Sequence, residues 1–528
     1  MEEKRTSRWA FILAAIWSAV WLGNARRFPW LCAEFWWSAF LIAYTICMLI
    51  LGVPMLMAET AIWRKIKKSA PHSLKALNNN AKYIWRASVT NGFFILTYYV
   101  VVFSWCILMC FMSYKFATTA STTEAASALR QNTIWATFNT SLTEWWWKIT
   151  PFLLLCFILA RVLVYGCIRN GAKQVGKVVK YTVILPVILL IILAISGFIN
   201  NPHLGEALSA LFIPKFELFK TADLWISAVW QAFFSLSIVS AIMFTYGSYL
   251  KSDSNIAVDT LIIAFSDLWI SILSWIVLFT TMYATGLTVN DMSASGIATA
   301  FIIYPTAIVN LTSSWTLNAI FGFIFYLMLC TLAIDSAFSM LEWASSAVKD
   351  KFNINRKKAA KIVAVISALA WFIYLTRAGV AYLDITDNWV CQYSMIILWI
   401  LETIFIWWVF KPKRVLEEIN KNTKKIRIPK RWFYSSIKLT APILLSIIFI
   451  WQFIDYAKKW FRYDTNYSVT AEIIFWRLVF IIIISSWFIL NSILKRNKKW
   501  RIILEINSKE PMWDEINESY TTTSKNHN

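Results

Sequence analysis

Long unbroken apolar runs constrain this chain more than any other feature. They recur near residues 9–30, 36–58, 88–113, 150–168, 178–199, 224–250, 258–286, 316–348, 358–376, 388–410, 436–455 and 472–494. Runs of about 18 residues or more are long enough, as helices, to cross a hydrocarbon core of roughly 30 Å. With 59% of residues hydrophobic and only 15% charged, a soluble domain could not cover so much apolar surface. The expected fold class is therefore all-α, a polytopic membrane protein with about 12 transmembrane helices. Lys4, Arg5 and Arg8 precede the first run as they would in a signal peptide. Asn24, Arg26, Arg27 and Pro29 follow it instead of a small-residue cleavage site, so it reads as a span.

The formal net charge of +22 describes topology rather than nucleic-acid binding. The loop 64–86 carries Arg64, Lys65, Lys67, Lys68, Lys75, Lys82 and Arg86 with no acid, and loops 169–180, 349–361, 411–431 and the segment after 494 are also basic. The positive-inside rule places these in the cytoplasm. Loops 114–149, 200–223, 287–315 and 456–471 are sparsely charged or nearly balanced and should face outward, which puts both termini inside. His72, His203 and His527 are too scattered for a metal site. The eight cysteines lie in or beside apolar runs and predict no structural disulfide, and no Gly-rich phosphate loop suggests an ATP-driven pump.

Polar residues inside spans mark an interior path, because lipid cannot satisfy them. The first span contains Ser18, Gly23, Asn24, Arg27 and Pro29. The sixth contains Gln231, Ser235, Ser237 and Ser240 around Phe233 and Phe234. Interruptions at matching places in two five-helix halves point to a midplane site in a transporter with inverted repeats. Asp267, with Ser271 one turn later, and Asp335, beside Ser336, add carboxylates to the seventh and eighth spans. A hard monovalent cation needs such oxygens; the blander role is a helix–helix hydrogen bond worth about 1 kcal/mol.

These residues resemble the neurotransmitter:sodium symporter family of sodium-dependent amino-acid transporters, over about residues 7–495. The segments ILAAIWSAVWLGNARRFP (12–29), LILGVPMLMAETAIWR (49–64), TYYVVVFSW (97–105), AVWQAFFSLSIVSA (228–241), LAIDSAFSMLE (332–342) and LDITDNW (383–389) carry the resemblance in order. It implies a 5+5 inverted-repeat fold with the first and sixth helices broken, working by alternating access. The domains would be a cytoplasmic segment 1–8, a ten-helix transport core 9–410, two further helices with their preceding loop over 411–494, and a cytoplasmic tail 495–528.

The same resemblance implies sodium-coupled symport of a small amino acid and two sodium ions. Ala19, Asn24, Ser235 and Asp267 would hold the first ion. Trp17, Val20 and Leu332 through their carbonyls, with Asp335 and Ser336, would hold the second. The substrate carboxylate would meet Tyr99, the amides near Leu22 and Gly23, and the first ion. Ala19, Val20, Ile95, Phe234, Ser237, Ser240 and Met340 would complete the binding site. Trp21 stands where monoamine carriers place an Asp, which favours an amino acid. Arg27 and Asp387 resemble the outer gate pair, with Phe234 and Tyr99 as the lid beneath; an alternative role for Arg27 is an interfacial snorkelling cation. Tyr44, Gln231, Ser235 and Ser271 match the halide ligands of chloride-dependent members. Asp267 beside them could supply that negative charge itself, so the chloride requirement stays open.

One departure recurs. Trp17, Trp21, Trp36, Trp37, Trp63, Trp230 and Trp275 stand where the resemblance places glycine, in a chain with 31 Trp and 13 Gly. Glycine permits unwound backbone and close helix approach. The pattern predicts that many of these tryptophans are glycines in the native protein, encoded by UGA in an organism that reads it as Gly but translated here with a code that reads it as Trp. Trp105 reads as genuine. The plainer explanation is interface anchoring by aromatic residues, but these positions are mid-helix. If the tryptophans are real, a transport-dead sensor or regulatory protein that keeps the fold becomes the competing function. An enzyme is not indicated: no nucleophile set, metal cluster or cofactor loop is present.

Overall fold

In the computed structural model the chain is described over residues 12–66 apart from 14, 17, 18, 20 and 21, over 82–119, 149–168, 172–199, 215–238, 254–284, 299–369, 372–376, 379–407, 411–423 and 426–459, and over short pieces between them. Among the described residues the architecture is helical, with a single isolated bridge between Ile149 and Thr376. The helices are α1 (Leu22–Glu34), α2 (Trp37–Cys47), α3 (Val53–Ile66), α4 (Lys82–Thr119), α5 (Pro151–Ile168), α6 (Ala172–Ile199), α7 (Ala222–Ser235) and α8 (Ile256–Ala284). There follow α9 (Tyr304–Val309), α10 (Trp315–Phe352), α11 (Arg356–Leu369), α12 (Gly379–Asp387), α13 (Met395–Phe405), α14 (Pro412–Asn420), α15 (Lys430–Ser435) and α16 (Ala441–Lys458).

Seven stretches among the described residues are long and apolar enough to cross a membrane, including Trp37–Arg64, Ala87–Thr119, Ile256–Ala284 and Trp315–Lys349. They coincide with the expected second, third, fourth, seventh, eighth, tenth and eleventh spans. The expected twelfth span, 472–494, lies outside the described residues. Rows of exposed Leu, Ile and Val give these helices apolar outer faces: Leu155, Ile158 and Val162 on α5, and Ile443, Ile447 and Ile450 on α16. Such continuous apolar surface suits hydrocarbon, not water.

Helices α4 and α10 pack against each other along most of their length and form the centre of the bundle. Around them α8 lies against α1 and α6, and α7 against α2. The second span is a single helix with a π-turn at Met48–Gly52 between α2 and α3. Such a turn leaves a carbonyl without its helical partner, and Ser436 supplies one by donating to the Ile50 oxygen at 2.5 Å. Gly52 lies against the end of α7. A Cβ there would come within 2.7 Å of the Leu236 side chain.

The sixth span does break, and the backbone shows how. Helix α7 ends at Ser235. The Ser237 amide donates to the Phe234 oxygen at 3.0 Å and the Ile238 amide to the Phe233 oxygen at 3.1 Å, while Ser237 adopts φ 54°. This is the Schellman termination, with serine in the left-handed position that glycine usually fills. The Ile238 oxygen then accepts the Trp399 indole N–H at 2.8 Å, anchoring the turn to α13.

Three local expectations are corrected. The outward loop 287–315 contains a buried π-turn and helix over Thr299–Val309, because Ala300, Phe301, Tyr304 and Ala307 give it an apolar face to bury. The tenth span begins at Gly379 rather than near 388, its polar LDITDNW start being helical already. Arg64, read as a loop charge, is 2% exposed and donates to the Ser254 carbonyl at 2.6 Å and to Glu418 at 2.8 Å. It ties the end of α3 to the segment before α8 and to α14.

Candidate functional site

The centre of the site is Asp267 on α8, fully buried. Its carboxylate accepts hydrogen bonds from Asn24 Nδ2 at 2.6 Å, Ser235 Oγ at 2.5 Å and the Tyr44 hydroxyl at 3.1 Å. Asn24 also lies 2.8 Å from Ser271 Oγ and 3.1 Å from Ser235 Oγ. Helices α1, α2, α7 and α8 thus converge on one carboxylate. Ser271 sits one turn from Asp267 and donates back to its carbonyl at 2.9 Å, which aims that hydroxyl into the cluster. Tyr44 is held by edge contacts with Phe28 at 5.2 Å. No described Lys or Arg pairs with Asp267. A buried carboxylate without a counter-charge is costly, and a cation among these oxygens would relieve that cost.

The structure therefore brings together Asn24, Ser235 and Asp267 of the expected first sodium site, with Ala19 buried at the start of the same span. It also brings three of the four expected halide ligands, Tyr44, Ser235 and Ser271, to the same place. Gln231 is fully buried one turn before Ser235, and its side-chain amide has no hydrogen-bond partner among the described residues. Of the second sodium site, Leu332, Asp335 and Ser336 are buried on α10, with Ser336 Oγ donating to the Leu332 carbonyl at 3.3 Å. Trp17, Val20 and Trp21 lie outside the described residues, as does Ser240.

A cavity of about 40 Å³ adjoins Asn24 at Gly23 and is lined by Gly23, Arg27, Ile95, Tyr98, Tyr99, Val102, Trp230, Phe234, Leu383 and Asp387. It contains both expected gate residues and both lid aromatics. Gly23 packs closely under Phe234: a Cβ would stand 3.1 Å from the ring, which would have to give by a few tenths of an ångström. Of the other expected binding residues, Ser237 and Met340 are buried but do not line the cavity. Sequence reasoning missed Tyr98, Val102 and Leu383. The spacing 95, 98, 99, 102 on α4 is the signal that would have found the first two, since it marks one helical face.

The gate pair does not meet directly. The Arg27 guanidinium lies over the Trp230 ring, 3.3 Å from its centroid, and Trp230 stacks on Phe234 at 4.6 Å. The Asp387 carboxylate is held instead by Tyr98 at 2.5 Å and Cys391 at 3.4 Å. Trp37 and Trp275 stack on each other at 5.2 Å between α2 and α8.

The arrangement is one of oxygen donors and a gated cavity in a membrane bundle. The sequence pattern of the sodium:neurotransmitter symporter family matches residues 2–144 and 138–495. The chain belongs to this family. This symporter is 29% identical to a sodium-dependent transporter of Methanocaldococcus jannaschii over 479 residues, covering 89% of the chain and 95% of the relative. It is 24% identical to the sodium- and chloride-dependent neutral and basic amino acid transporter B(0+) of Mus musculus, over 94% of the chain and 86% of the relative. The crystal structure of MhsT in complex with L-phenylalanine superposes with a TM-score of 0.72 at 26% identity, over 85% of this chain and 99% of that one. The symporter is thus a multi-pass membrane transporter, not an enzyme.

Proposed function

We propose that this protein carries a small amino acid inward with sodium by alternating access, both termini lying in the cytoplasm. The observation that carries the reading is Asp267: a buried carboxylate with three donors, no described counter-charge, and a cavity one residue from its partner Asn24. Ala19, Asn24, Ser235 and Asp267 would receive the first sodium as cargo, and Leu332, Asp335 and Ser336 with the carbonyls of Trp17 and Val20 the second. The substrate carboxylate would lie against Tyr99 and the Gly23 amide, its side chain against Ile95, Val102 and Phe234. That the MhsT structure holds an amino acid, and that the mouse relative is named for neutral and basic amino acids, supports the class.

Because Asp267 already supplies a negative charge among Tyr44, Ser235 and Ser271, chloride is dispensable in this reading. Equilibrium binding of radiolabelled neutral amino acids to the purified protein tests it: binding should require sodium and persist in chloride-free buffer. Binding indifferent to sodium would rule the reading out.

One observation favours a second reading, a protein that keeps the fold without transporting. Trp230 occupies the cavity wall between Arg27 and Phe234, where the family resemblance places glycine. Glycine there, as the tryptophan recoding predicts, would open the path between gate and lid. Peptide mass spectrometry of the native protein over residues 224–250 distinguishes the two: glycine at 230 supports the carrier, tryptophan the silent form.

A further inference from the structure

Tyr98 precedes Tyr99 on α4 and lines the same cavity, and its hydroxyl is directed at the gate carboxylate. It donates to Asp387 Oδ1 at 2.5 Å and stands 3.3 Å from Cys391 Sγ, and that thiol, one turn beyond Asp387, also donates to Oδ1 at 3.4 Å. The Tyr98 ring is 4% exposed and is fixed edge-on against Tyr374 at 6.4 Å. Tyr374 is itself within 3.0 Å of Thr386 Oγ1, one residue before Asp387. A second tie between the same helices runs from Asn91 to the Val390 carbonyl at 3.4 Å. The gate carboxylate is thus fastened to α4, part of the central α4–α10 pair, while Arg27 rests on Trp230 across the same cavity.

We infer that Tyr98 is a positioning residue of the outer gate, a latch that holds the Asp387 carboxylate on α4 and must release or share it before Arg27 can pair with Asp387. The inference rests on the gate assignment made above. An ionised acceptor makes the Tyr98 bond stronger than a neutral one, and closure exchanges it for an equally charge-assisted bond to Arg27. The two partners therefore compete for one carboxylate, and the balance between open and closed gate follows their difference. Cys391, bonded to the same oxygen, moves with Asp387 on its own helix and does not compete across the gap.

The test needs no substrate, so it can fail independently of the transport reading. Val102 lines the cavity beneath the gate, and a Val102→Cys protein in lipid nanodiscs can be labelled by a membrane-impermeant thiol reagent, with modification at 102 read by peptide mass spectrometry. Adding Tyr98→Phe, which keeps the ring, should free Asp387 for Arg27, close the gate and slow labelling by about tenfold, as expected for one charge-assisted hydrogen bond. In an Asp387→Asn background the same Tyr98→Phe change should leave the rate unaltered. An unchanged rate in the first case, or equal slowing in both backgrounds, would overturn the latch, the second outcome showing that Tyr98 only packs. Sodium-dependent amino-acid binding by the parent protein reports separately on the transport reading.

Discussion

At the scale of single residues, Asp267 is the residue on which the proposed sodium site turns. Its position one turn before Ser271 was legible in the sequence, since that spacing places both on one helix face. Its role as the common acceptor for Asn24, Tyr44 and Ser235 was not, because three of those partners come from other helices. Replacing Asp267 with Asn removes the internal negative charge but keeps the shape. Uptake measured with gluconate and with chloride as the anion should change from chloride-independent to chloride-stimulated, the loss in gluconate being about tenfold or more for a group worth roughly 1.5–3 kcal/mol. Equal activity of the variant in the two anions would contradict the assignment. Trp36 is the second telling residue. It adopts φ 55° and ψ 112°, backbone that is comfortable for glycine and strained for a bulky side chain, at a cost of order 1–3 kcal/mol. The indole N–H of the fully buried Trp275 also has no acceptor among the described residues. Trp36→Gly is therefore expected to raise the thermal unfolding midpoint in detergent, and a fall would argue that tryptophan belongs there.

Elements show a different division between sequence and structure. The break in the sixth span was legible as a polar cluster around Phe233 and Phe234, but its location was not, since nothing in the order LSIVS marks Ser237 as the left-handed residue. The Schellman bonds from Ser237 and Ile238 fix it. Ser237→Gly should stabilise the protein by about 1 kcal/mol, because glycine enters φ 54° without the Cβ penalty. Thermal unfolding and sodium-dependent binding would show this as a higher midpoint with binding retained. Helix α9 was missed because its run, TAFIIYPTAIV, is too short to span a membrane and sits in a stretch with outer-loop charge. Its burial comes from neighbours distant in sequence, such as Tyr326, whose hydroxyl reaches the Ala300 carbonyl at 2.9 Å. The latch from Tyr98 to Asp387 is likewise a contact between helices separated by 289 positions, which no local pattern could have disclosed.

For the whole molecule, the spans were the most legible feature, because lipid imposes length and apolarity on each helix separately. Their arrangement was not readable from periodicity. Helices α4 and α10 form the centre because their apolar and small side chains let them pack together over most of their length, and lipid-facing rows such as Leu155, Ile158 and Val162 then follow outside. In that arrangement α1 and the interrupted α7 meet α8 around Asp267, and Arg27 and Asp387 face one cavity. Sodium coupling is the property that such a molecule should show as a unit. The direct measurement is uptake of radiolabelled neutral amino acids into proteoliposomes, using protein with glycine at 17, 21, 36, 37, 63, 230 and 275 beside the protein as written. The account predicts concentrative uptake by the glycine form under an inward sodium gradient, its loss when potassium replaces sodium, and its loss in Asp267→Ala. Uptake that ignores the sodium gradient, or none in either form, would contradict it.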